Sequence, residues 1–326
     1  MIDTGSHVVA QSQVVAVTAG SGVEDGPVHV WDVGTGTAIA TLKGNMSDCH
    51  AIAFAKDLVV ASQRTKNQVL VWRWTKDQPL LRFGVPERLT AVALSKSGRL
   101  CAGGGSSGKT FLWEVSTGEL LRVWDAHYGR VCKLLFTDDD EMLLTAGDDA
   151  AVNVWRTQAL IRASSDTTLT ARHCWTAHTL PITDVACGTL GGSRGWVATC
   201  SLDHTCKVWN LTDGSALFSV TCPSPLRSIA FTANDTRIAA GASDGRIYVL
   251  DLYRRNVPVP QQPSSSPSSS APISAYPISA SGLAPRPANA NILASADAKD
   301  LASACVFVLH AHRYGPVQRK LSQLRL

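Results

Sequence analysis

Six segments, HVWDVGTG, VLVWRWTK, TFLWEVSTG, VNVWRTQ, CKVWNLTDG and IYVLDLY, recur in order along the chain. Their anchor residues are Trp31, Trp72, Trp113, Trp155, Trp209 and Leu250, at intervals of 41, 41, 42, 54 and 41 residues. A fixed period of this length means one supersecondary unit copied along the chain. Such a unit cannot bury its apolar faces alone and has to stack on its neighbours. Other positions keep step with the anchors. Val30, Val71, Leu112, Val154, Val208 and Val249 precede them by one residue, and Asp25, Lys66, Ser107, Asp149, Asp203 and Asp244 precede them by six. Gly36, Gly118 and Gly214 follow by five, each in a Thr-Gly or Asp-Gly pair suited to a hairpin turn. Leu42, Phe83, Trp124 and Val220 follow by eleven.

The interval of 54 residues resolves into the same unit with two loop insertions, around Ala159–Arg172 and Gly188–Gly195. Within a unit, runs such as Val131–Phe136, Met142–Ala146, Val152–Trp155 and Leu120–Trp124 are short, β-branched or aliphatic, and bounded by Gly, Asp, Ser or Thr. These are strand signals, four to a unit, so the fold class is all-β.

Four-stranded units of about 40 residues with Asp and Trp at fixed offsets resemble WD repeats, the blades of a β-propeller. Stacking the blades in a ring covers both faces of each sheet and shortens the exposed edges. Two units carry the full polar signature: His127, Thr145, Asp149 and Trp155 in one, His178, Thr199, Asp203 and Trp209 in the next. The resemblance implies that each set forms a hydrogen-bond chain from Asp to His to Thr to the indole. A His-Asp-Thr grouping also invites a catalytic reading, but a grouping repeated from blade to blade is what a stabilising network does and what an active site does not. The other units have no His three residues after Leu42, Phe83 or Val220.

The ends depart from the pattern. Residues 1–253 read as the propeller, with six repeat units; residues 254–298 are a Pro/Ser-rich low-complexity insertion, expected to be disordered. In residues 299–326, Leu309 precedes His312 by three, as Trp124 precedes His127. This tail reads as a return strand for the sixth blade and the truncated start of a seventh, in a nominally seven-bladed ring. Six units closing on themselves, a partner filling the gap and an incomplete gene product are the alternatives, the last being the expected one.

Composition narrows the function classes. Charged residues make up 17% of the 326, too few for a disordered or coiled-coil protein, and no apolar run approaches the roughly 20 residues of a membrane span. No secretory signal opens the chain, and an intracellular, membrane-free protein is expected. The nine cysteines are scattered with no C-x-x-C pair, which favours small apolar side chains in a reducing compartment; Cys200 and Cys206 with His178 and His204 are the nearest approach to a metal cluster. No metal and no cofactor are expected. The charge is uneven: 22 Lys+Arg against 24 Asp+Glu in residues 1–253, but 8 against 2 in residues 254–326. A solvated basic tail is the plain reading, and contact with RNA or an acidic partner the sharper one.

Gly103 and Gly108 with Lys109 and Thr110 satisfy the phosphate-loop spacing, yet Thr110–Trp113 continues as a strand where that loop needs a helix. There is no H-E-x-x-H, and no G-x-S-x-G leading from a strand into a helix as a nucleophile elbow needs. The segment CWTAHTLPITDVACGTLGG, with VATCSLDHTCKVWNLTDGSALFSV after it, resembles the WD-repeat subunit of the rixosome, above all in Leu180-Pro181-Ile182-Thr183-Asp184. The similarity covers roughly residues 28–253. It implies a non-catalytic scaffold in the nucleus (nucleolus and nucleoplasm), serving large-ribosomal-subunit assembly and rRNA spacer removal. The implied partners are a helical-repeat scaffold subunit, a dynein-like ATPase, the spacer endonuclease with its polynucleotide kinase, and the pre-ribosomal particle, with RNA contact through the complex. The Ser/Pro insertion and the absent last blade put C-terminal contacts of that kind in doubt. The alternative is a substrate receptor of a cullin-type ubiquitin ligase, which wants Trp-Asp-x-Arg where this chain has Trp31-Asp32-Val33-Gly34. Which loops bind partners is unknown from the residues; the two insertions are the candidates.

Overall fold

The computed structural model describes residues 15–19, 26–46, 51–63, 66–76, 78–162, 169–189, 191–232 and 234–252. Each repeat becomes one antiparallel sheet. Blade one holds β1 (Val15–Ala19), β2 (Gly26–Asp32) and β3 (Ala38–Met46); blade two holds β4 (Ile52–Ala55), β5 (Leu58–Gln63), β6 (Gln68–Arg73) and β7 (Leu81–Gly84). Blade three holds β8 (Leu89–Leu94), β9 (Leu100–Gly105), β10 (Lys109–Glu114) and β11 (Leu120–Asp125). Blade four is built from β12 (Val131–Phe136), β13 (Met142–Gly147), β14 (Val152–Arg156) and β15 (His173–Trp175). Blade five has β16 (Ile182–Cys187), β17 (Trp196–Ser201), β18 (Thr205–Asn210) and β19 (Ala216–Thr221), and blade six β20 (Leu226–Phe231), β21 (Arg237–Ala242) and β22 (Ile247–Asp251). The architecture is the expected all-β propeller.

The anchors sit on the third strand of the four-stranded blades, so β1–β3 match the second to fourth strands of a unit and β20–β22 the first to third. The expected remaining strands of blades one and six fall outside the described residues, as do the Pro/Ser-rich segment and the return strand. First strands pack side by side from blade to blade, β4 on β8, β8 on β12, β12 on β16 and β16 on β20, which places them innermost.

Five apolar cores hold the array, each shared by two successive blades. Strand alternation explains this: Leu70 and Trp72 face blade one while Val69 and Val71 face blade three. The residue eleven after one anchor meets the next blade's anchor. Phe83 lies against Trp113 at 5.2 Å between ring centroids, and Trp124 meets Trp155 edge-on at 5.8 Å. Trp175 stacks on Trp209 at 4.8 Å. Such aromatic pairs add about 0.5–1.5 kcal/mol each beyond the area they bury.

Two local features differ from the sequence expectation. The first insertion does not remain a loop throughout: it opens as α1 (Thr157–Arg162), whose Leu160 is fully buried against the core of blades three and four. The second forms a single 3-10 turn at Gly192–Arg194. The turn glycines behave as expected, with Gly36, Gly118 and Gly214 at φ of +70°, +73° and +77°, a region where a side chain is strained.

Candidate functional site

In blade four the β11–β12 connection delivers His127 and the β13–β14 turn delivers Asp149. His127 Nδ1 lies 2.9 Å from Asp149 Oδ1, and its Nε2 lies 2.8 Å from Thr145 Oγ1 on β13. Trp155 Nε1 donates to the same hydroxyl at 3.1 Å. Blade five repeats the arrangement: His178 Nδ1 to Asp203 Oδ2 at 2.9 Å, Nε2 to Thr199 Oγ1 at 2.8 Å, and Trp209 Nε1 to Thr199 Oγ1 at 3.0 Å. All eight residues singled out in the sequence are thus brought together, four and four.

One proton arrangement satisfies every group. The indole N–H donates to the threonine oxygen, the threonine hydroxyl donates to Nε2, and the Nδ1–H of a neutral imidazole donates to the carboxylate. The aspartates also receive backbone N–H bonds that fasten the loops: Tyr128 to Asp149 at 3.1 Å, and Thr179 and Thr205 to Asp203 at 3.1 and 2.9 Å. Burial lowers the His178 pKa, outweighing the opposing pull of the Asp203 carboxylate. Burial alone would raise Asp203; the bonds it accepts from Thr205, His178 and the two backbone amides outweigh that and hold it at about 2. Both ring nitrogens are engaged and the imidazoles are buried, so neither histidine presents a lone pair to solvent.

The glycines of the phosphate-loop look-alike serve packing. Gly103–Gly105 end β9 and Lys109–Trp113 lie in β10, joined by a hairpin turn and no helix. A Cβ on Gly103 would come within 2.7 Å of Leu89 and 2.8 Å of Trp113, and one on Gly104 would overlap Val131 of the next blade. Gly108, at φ +94°, sits beneath the His127 carbonyl, which accepts no side chain there.

Cys101, Cys200, Cys206 and Cys222 are buried. Cys200 and Cys206 face each other across β17 and β18, fully buried, while His178 is held in its polar chain and His204 Nδ1 lies 3.2 Å from the Pro223 carbonyl. Burial pushes the Cys101 and Cys132 thiols up to about 12 and those of Cys200 and Cys206 upward as well. These thiols are protonated at neutral pH and poor nucleophiles.

Several connecting residues do not follow the repeat offsets. In blade three, whose β7–β8 connection holds no histidine, Glu87 reaches from that connection to Ser107, at 2.6 Å from its hydroxyl and 3.0 Å from its amide. Asp140 accepts the amides of Lys96 and Ser97 at 2.6 and 2.9 Å, tying blade four to blade three. Asp139 takes the Ser193 amide of blade five at 2.6 Å, and Asp235 of blade six the Thr189 amide at 3.0 Å. On the innermost strands Lys133 Nζ meets Asp184 Oδ1 at 2.9 Å, and Asp184 Oδ2 accepts the Ile229 amide at 3.0 Å. That series crosses three blades.

The family described as WDR54 matches residues 31–196, half of the chain. The chain belongs to this WD-repeat family. The description WD domain, G-beta repeat matches a further unit of the WD-repeat protein, residues 214–251. Protein ROOT INITIATION DEFECTIVE 3 of Arabidopsis thaliana is 33% identical over 246 residues, covering 72% of this chain and 55% of that protein. WD repeat-containing protein 18 of Rattus norvegicus is 35% identical over 240 residues, covering 73% and 55%. Pre-rRNA-processing protein IPI3 of Mycosarcoma maydis is 30% identical over 263 residues, covering 76% and 43%. This WD-repeat chain therefore spans about half the length of the relatives it matches. A chain in the crystal structure of a mitotic checkpoint complex aligns at a TM-score of 0.61 with 16% identity, covering 73% of this chain and 70% of that one, a likeness of fold alone.

Proposed function

We propose that the chain is a non-catalytic WD-repeat scaffold subunit of a nuclear complex that assembles the large ribosomal subunit and processes pre-rRNA spacers. The observation that carries this reading is the similarity, over about three quarters of the chain, to a protein named for pre-rRNA processing and to WD repeat-containing protein 18. The chemistry of the polar chains supports it. Every Asp, His and Thr that could pose as a triad has its bonding capacity consumed within its own blade. A ring of rigid sheets with separate loops then presents several surfaces at once, which suits holding partners together.

The partners in this reading are a helical-repeat scaffold subunit, the spacer-cleaving enzymes, a dynein-like ATPase and the pre-ribosomal particle, with RNA reached through the complex. The test is affinity purification of the tagged full chain from nuclear extract, followed by mass spectrometry and measurement of spacer-containing pre-rRNA after depletion. Co-recovery of pre-rRNA-processing subunits and accumulation of spacer-containing precursor are expected. Recovery of cullin adaptors alone, with normal precursor levels, would overturn the reading.

A further inference from the structure

In three blades the residue after the anchor makes an ion pair with the residue at, or just before, the start of the second strand. Arg73 pairs with Asp57 at 2.7 Å in blade two, Glu114 with Arg99 at 3.4 Å in blade three, and Asp251 with Arg237 at 2.5 Å in blade six. Blade four holds the residues for the same pair. Arg156 follows the anchor Trp155 and lies opposite Met142, with Glu141 just before that methionine. The carboxylate is engaged elsewhere. Glu141 Oε2 accepts the Ser193 hydroxyl at 2.7 Å, from the 3-10 turn of the second insertion, and Asp139 holds the same turn through the Ser193 amide. Among the described residues Arg156 has neither an ion pair nor a hydrogen bond, and the same is true of Arg162 at the end of α1. Both arginines are exposed. With Gln158 and Ala159 they line an open depression of about 410 Å³ where β14 runs into α1. Ile161 of the same helix is also exposed.

We propose that Arg156 and Arg162 form a docking site for an acidic segment of a partner protein, whose carboxylates take the place that Glu141 leaves empty. A guanidinium grips a carboxylate through two parallel N–H···O bonds, so two free guanidinium groups in one depression suit a short stretch of Asp or Glu. The exposed Ile161 and the Gln158 amide add apolar and hydrogen-bonding contact, the mixture that protein interfaces use. An RNA strand fits less well. No aromatic ring lines the depression for a base to stack on. Residues 1–253, with 22 Lys+Arg against 24 Asp+Glu, also lack the excess of cations that follows a phosphate backbone. The site is a product of the two insertions: the first brings Arg162 to Arg156, and the second draws off the competing carboxylate. This inference does not rest on the pre-rRNA reading.

Fluorescence anisotropy on the full chain tests it. The probe is a labelled peptide of glutamates around a central leucine; its glutamine counterpart and a labelled oligouridylate are the comparisons. The native chain is expected to bind the glutamate peptide at low salt. Arg156→Gln combined with Arg162→Gln should weaken that binding at least about tenfold. Arg73→Gln, whose arginine is already paired with Asp57, should leave it unchanged. Circular dichroism identical to that of the native chain reports that the variants are folded. No binding by the native chain would overturn the site, as would equal binding by the double variant or equal affinity for the glutamine peptide. Oligouridylate binding that disappears in the double variant, without binding of the glutamate peptide, would overturn it in favour of RNA.

Discussion

A buried imidazole flanked by a carboxylate and a hydroxyl has a single proton to place, and in blades four and five the neutral ring places it with no group left over. Removing one member strands the others. His178→Ala leaves a carboxylate and an indole-bound hydroxyl short of a partner, so a loss of about 2 kcal/mol in unfolding free energy is expected by denaturant titration. The same chain makes stability depend on pH. His178 is lowered from 6.5 in the fold, so below that value the unfolded chain binds the proton more readily and stability falls. Asp203 is held at about 2 against 3.8, so its contribution is whole above 3.8 and is lost as pH drops through 2. Both act in one direction: denaturant midpoints decline on acidification from pH 7, and Asp203→Asn lacks the lower step. The eight polar-chain residues were legible because they recur at fixed offsets from the anchors. Glu87 was not, since its carboxylate comes from the loop that elsewhere supplies histidine, and no offset marks it.

At the scale of elements, the repeat foretold strands and their register because alternation and turn glycines are local signals. The helical start of the first insertion was hidden: Thr157–Arg162 is a six-residue stretch, fixed by burying Leu160 against blades three and four, and that contact is not local. Leu160→Ala should therefore cost about 2–3 kcal/mol, measured by chemical denaturation. A surface change nearby in the same helix, Gln158→Ala, should leave the midpoint where it is. The glycine run of β9 makes a separate prediction. Gly104→Ala pushes a methyl into Val131 and should destabilise by about 1–3 kcal/mol, with no ATP binding in either protein by equilibrium dialysis. Nucleotide binding lost with the substitution would restore the phosphate-loop reading.

At the scale of the whole molecule, each of the five cores among the described residues is shared by two successive blades, so cohesion depends on those cores and on the polar links that span them. The cores were readable from the anchors. The links were not, because Asp139, Asp140, Asp184 and Asp235 act between units, and a period describes what happens within one. Asp184 joins Lys133 of blade four to the Ile229 amide of blade six, so Asp184→Ala removes one partner of the half-buried Lys133 ammonium and leaves the buried Ile229 amide short of an acceptor. About 1–3 kcal/mol of destabilisation is expected, with faster hydrogen exchange in β12 and β20 together.

In the proposed function the repeated polar chains keep the sheets in place while the loops do the binding. Quantitative recovery of pre-rRNA-processing subunits on the tagged chain and on its Asp203→Asn variant, at a temperature where circular dichroism shows both folded, separates those roles. Equal recovery is predicted; recovery lost while the fold is intact would contradict it.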